Sequence, residues 1–103
     1  MVKHFSLTLD GTAQRLSDAL ADTAIIKFLS LQAHPTNANP IYIGTNETGF
    51  ILSSSDYGFR IEAPVASIPA APSIFEFSRG LLSLGDLKVL GTNTEVLHGF
   101  LII

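Results

Sequence analysis

Residues 87–103 read Leu87-Lys88-Val89-Leu90-Gly91-Thr92-Asn93-Thr94-Glu95-Val96-Leu97-His98-Gly99-Phe100-Leu101-Ile102-Ile103. Two runs rich in Leu, Val, Ile and Phe flank a Gly-Thr-Asn-Thr cluster, and that punctuation predicts two strands joined as a hairpin. The second run is apolar at both parities, so neither face of that strand reads as a solvent face.

The same grammar extends toward the N-terminus. Phe5, Leu7 and Leu9 alternate with His4, Ser6 and Thr8, the period of a half-buried strand, and Asp10-Gly11 ends it with a turn dipeptide. Ile25 to Ala33 reads as a central strand that stops at His34-Pro35. A loop rich in Pro, Asn and Thr then leads into Ile41-Tyr42-Ile43, which Gly44 ends. Phe50 to Leu52, Tyr57 to Ile61 and Ile74 to Phe77 are further strand candidates, the last ending at an Arg79-Gly80 turn.

Pro64, Pro69 and Pro72 cannot donate to a sheet ladder, so residues 63–73 are expected to form a crossing connection or an edge, tacked down by Val65 and Ile68. Only Ala13 to Ala24 has helical spacing, through Leu16, Ala19 and Leu20, with Ser17 as the expected cap of one or two turns. Leu81, Leu82 and Leu84 fit either a short strand or a helical turn. About eight short strands with turn chemistry between them predict an all-β fold, a single-domain β-sandwich or jelly roll over residues 1–103.

Composition narrows the function. The chain has 103 residues, enough for one core. It is 47% apolar and only 15% charged, against about a quarter charged in ordinary proteins. A densely packed interior and a weakly charged surface suited to protein contact are expected. Nine acids against six scattered bases leave no basic patch for nucleic acid. The start, Met1-Val2-Lys3-His4-Phe5-Ser6, does not read as a signal peptide, and no apolar run is long enough to span a bilayer. A soluble product that stays in the cytoplasm of whatever cell makes it, with no membrane and no nucleic-acid partner, is expected.

No catalytic constellation stands out. His4, His34 and His98 are isolated in sequence, without His-x-His spacing, and there is no cysteine to supply a thiolate. Serines lack a Gly-x-Ser-x-Gly elbow, and the acids sit beside turn residues where solvated carboxylates belong. The reading is therefore non-enzymatic, with no cofactor and no metal. Phe5, Phe28, Phe59 and Phe100 sit in strand patterns as core residues would, while Phe50, Phe75 and Phe77 flank loops or prolines and fit core or surface.

Four stretches together carry a resemblance: Leu29-Ser30-Leu31-Gln32-Ala33, Asn39-Pro40-Ile41-Tyr42-Ile43-Gly44, Tyr57-Gly58-Phe59-Arg60-Ile61, and Leu84-Gly85-Asp86-Leu87-Lys88-Val89-Leu90-Gly91 with its apolar tail. In this order they resemble small virion structural proteins of tailed bacteriophages, of the capsid decoration or cement type. The resemblance covers most of residues 25–103, and Pro64 to Pro72 departs from it. It implies a β-sandwich, often trimeric, that stabilises an assembled phage head by contact with the major capsid protein or another virion protein, and so a place on the capsid surface. Phe100, Ile102, Phe75, Phe77, Asn37 and Asn39 are the expected subunit or capsid contacts. A tail or head-fibre component, or a jelly-roll module for a ligand or carbohydrate, is the alternative.

Overall fold

The structure, a computed structural model, describes residues 2–21, 25–62, 74–78 and 80–103. Its elements in chain order are β1 (Val2–Thr8), β2 (Gln14–Arg15), the helical turn α1 (Leu16–Ala19), β3 (Ile25–Ile26), β4 (Phe28–Ala33), β5 (Ile41–Thr45), β6 (Phe59–Ile61), β7 (Ile74–Phe77), β8 (Leu82–Ser83), a 3-10 turn (Leu84–Asp86), β9 (Leu87–Leu90) and β10 (Val96–Ile102). The leucine-rich run that fitted either a strand or a helical turn supplies both, first β8 and then the 3-10 turn.

Two four-stranded sheets have the orders β1-β10-β4-β7 and β2-β9-β5-β6, and every pairing is antiparallel. A short β3–β8 pair stands beside them. Leaving aside the β3–β8 pair, each successive strand crosses to the other sheet except at β5–β6, which are neighbours in one sheet, and these two strand orders are the jelly-roll arrangement. The chain is all-β, as its turn-punctuated strands predict.

One apolar core joins the sheets. Leu29, Leu31 and Ala33 of β4 and Leu97 and Leu101 of β10 meet Ile41 and Ile43 of β5, Ile61 of β6 and Leu87 and Val89 of β9. Period-2 alternation places these side chains on the inner faces. Each fully buried Leu or Ile contributes about 1.5–3 kcal/mol relative to exposure.

The expected hairpin at residues 87–103 does not form. β9 pairs with β2 and β5, whereas β10 pairs with β1 and β4, so residues 91–95 arch from one sheet to the other. The arch is pinned to the end of β1: Leu9 N donates to Glu95 O at 2.8 Å and Thr94 N donates to Leu9 O at 2.9 Å. Beside it runs the β1–β2 connection, where Gly11 takes a φ of +84°, a conformation that favours glycine. Turn residues mark a reversal of the chain but not whether its two arms share a sheet.

Two smaller expectations also change. Phe50 to Leu52 is not a strand; Phe50 and Leu52 pack over Gly44 instead, and the next chain segment reaches β5 through Gly58 N donating to Ile43 O at 2.9 Å. Arg15, not Ser17, is the N-cap of α1, and no side chain caps it; Ser17 lies buried within the turn. Residues 63–73 and Arg79, expected as a connection and part of a turn, lie outside the described residues.

Candidate functional site

The outward face of the β1-β10-β4-β7 sheet carries three exposed large apolar side chains, Val2, Ile74 and Phe100, while Ile25, Ile51, Tyr57, Phe59 and Leu81 are exposed elsewhere. Strand register sets its rows. Val2, Ile102 and Phe28 form one row across β1, β10 and β4. His4, Phe100, Ser30 and Glu76 form the next, and Ser6, His98, Gln32 and Ile74 the third. Val2 is 59% exposed, Ile74 46% and Phe100 41%, while Phe28 and Ile102 are half-buried. The rings of Phe28 and Phe100 meet edge to face at 6.1 Å, a geometry aromatic pairs favour.

Between these residues lies an open depression of about 480 Å³, bounded by His4, His98, Phe100 and Gln32. Ser6 and Ser30 line it with short side chains on either side of β10. Its polar edge is organised around histidine. Ser6 Oγ and His98 Nδ1 are hydrogen-bonded at 2.9 Å, and the His98 and His34 rings lie 4.9 Å apart. His34 is itself fixed by Thr36, whose amide donates to its Nδ1 at 3.1 Å and whose hydroxyl lies 2.7 Å from the same atom. Residues isolated in sequence are thus brought together by pairing β1, β10 and β4. Among the described residues, no group of three or more His, Cys, Asp or Glu side chains is placed to hold a metal ion.

Of the six contact residues read from the sequence, this face unites Phe100 and Ile102. Phe75 and Phe77 alternate to the inner side of β7, pair with Leu31 and Leu29, and pack against the core. The Phe75 ring meets Phe59 at 5.3 Å, closing the gap between the edge strands β7 and β6. Asn37 is buried and bound to Val96 of its own chain. Asn39 is exposed but stands off the face, where its Nδ2 donates to Glu95 Oε1 at 3.1 Å.

Val2, Phe28, Ile74 and His98 belong to the face and were not among the six contact residues read from the sequence. Phe28 and Phe100, assigned to the core by their strand pattern, lie on its outer side. Their even numbering, opposite in parity to Leu29, Leu31, Leu97 and Leu101, is the signal that separates them from the core. No helix among the described residues is long and apolar enough to cross a membrane.

Fold and face together define a jelly-roll protein with one weakly charged, partly apolar sheet surface open to solvent. Comparison of the chain with protein-family models, curated proteins and solved structures finds no match.

Proposed function

We propose that this chain is a non-enzymatic structural protein of a phage virion, a capsid decoration protein that binds the assembled head and stabilises it. The observation that carries the reading is the outward face of the β1-β10-β4-β7 sheet, where Val2, Phe28, Phe100, Ile102 and Ile74 expose apolar surface around a shallow depression. Glu76 is the one carboxylate in its rows, so a partner covering it desolvates little charge. The sequence resemblance to decoration proteins supplies the partner, the major capsid protein or another virion protein, and the trimeric state.

Decoration works by number. Each copy clamps neighbouring capsid subunits through modest contacts, and closed symmetry lets several such contacts act at once. Shells lacking the protein should rupture at lower temperature or under milder osmotic shock, and added protein should restore them. Labelled protein found at tail tips rather than over the head in electron micrographs would replace decoration with a tail role.

A further inference from the structure

A second depression, of about 430 Å³, opens on the opposite sheet, where β5 begins and β9 ends. Its floor is Tyr42 and Leu90, direct cross-strand partners whose parity turns them away from the core residues Ile41, Ile43 and Val89. Asn39 from the loop before β5, Ser54 from the loop before β6, and Thr92 and Asn93 from the inter-sheet arch form its rim. Among the described residues, no charged side chain lines it.

The aromatic floor is held in place. The Tyr57 ring lies 5.0 Å from Tyr42, and the Arg60 guanidinium lies over the Tyr42 ring at 6.0 Å. Arg60 is clamped by Glu62 at 2.6 Å, and that contact raises its pKa further above the ordinary arginine value. The rim has hydrogen-bonding capacity to spare. Among the described residues, the side chains of Ser54, Thr92 and Asn93 have no hydrogen-bond partner, and Asn39 spends only its Nδ2 on Glu95.

We propose that this depression binds a neutral carbohydrate, a hexose unit of a free or surface-attached glycan. A sugar ring offers an apolar C–H face for the tyrosine and hydroxyls at its edge for amide and hydroxyl groups. The lining provides that combination and little else. An anion finds no cation among the described lining residues. A purely apolar ligand would bury the rim's polar groups unpaired, at a cost of about 1–3 kcal/mol each. The volume falls within the range of about 300–1,000 Å³ typical of small-molecule sites, and its openness to solvent points to millimolar rather than micromolar affinity.

The test is amide NMR of the full chain titrated with the methyl glycosides of glucose, galactose, mannose and N-acetylglucosamine, with inorganic phosphate as an anionic control. At least one glycoside should give saturable shifts at Tyr42, Leu90, Thr92 and Asn93. Tyr42→Ala and, independently, Asn93→Ala should each weaken that binding about tenfold or more, with Asn93→Ala keeping the unliganded spectrum. Phe100→Asp, on the other sheet, should leave it unchanged, which separates this site from capsid docking. The proposal is overturned if none of the glycosides gives saturable shifts, if phosphate gives the same shifts, or if the Asn93→Ala protein binds as wild type does.

Discussion

The side-chain amide of Asn37 makes both bonds of a β-ladder step with Val96: its Nδ2 donates to Val96 O at 2.8 Å, and its Oδ1 accepts from Val96 N at 3.0 Å. Asn37 thereby continues the β4–β10 pairing beyond His34, whose own amide donates to the same carbonyl at 3.0 Å. A residue that reads as a loop contact for a partner is instead part of the fold.

Asn37→Ala should therefore lower stability by about 1–3 kcal/mol, because the Val96 amide loses its acceptor in a partly buried place. Denaturant titration measures it. A loss below about 0.5 kcal/mol would mean that water replaces the amide without cost.

Gly99 faces Phe5 across the β1–β10 pair, and a Cβ at Gly99 would come within 2.0 Å of the Phe5 ring. Gly99→Ala should cost about 1–3 kcal/mol as the ring is pushed out of its packing against the core. Phe5→Leu should recover part of that loss in the double variant, giving a non-additive cycle. Strict additivity would show that the two residues do not share the space.

Asp10 Oδ1 accepts from the Thr12 amide at 2.9 Å and from the Thr12 hydroxyl at 2.6 Å, and these two bonds hold its carboxyl below the ordinary aspartate range. With the folded pKa depressed, the carboxylate's contribution to stability is present in full above the unfolded value, near pH 4. It is lost as pH falls through the lower, folded value. NMR titration of the Asp10 carboxyl should show the depressed midpoint, and Thr12→Val should move it upward. An ordinary midpoint in the wild type would contradict the turn geometry.

These residues also show how far the sequence could be read. The alternation of β1 was legible because His4, Ser6 and Thr8 are polar while Phe5 and Leu7 are half-buried against the core, and the central place of β4 because its run is apolar at both parities before it alternates. The partner of β10 was not. Gly91 to Thr94 are turn residues in a hairpin and in an inter-sheet arch alike, and the choice depends on Leu9, more than 80 positions away. For the same reason Phe100 and Ile102 could be picked out by a strand that looked apolar on both faces. Val2, Phe28 and Ile74 join them only once the order β1-β10-β4-β7 is known. The Tyr42 depression is assembled from four separate segments and left no local motif.

A trimer should form through apolar surface of this kind. Light scattering at tens of micromolar should give three times the monomer mass, and Phe100→Asp or Ile102→Asp should lower the mass if sister subunits use the face. A monomeric wild type would remove subunit packing from the account and leave the face to the shell alone.

The central claim is that the face around Phe100 and Ile102 binds the phage head, and co-sedimentation with expanded shells stripped of this protein tests it most directly. Wild-type protein should pellet with the shells to a saturating ratio, as should Asn39→Ala, altered outside the face. Phe100→Asp and Ile102→Asp, both at solvent-facing strand positions, should bind at least about tenfold more weakly. Wild-type protein that stays in the supernatant, or aspartate variants that pellet as wild type does, would contradict it.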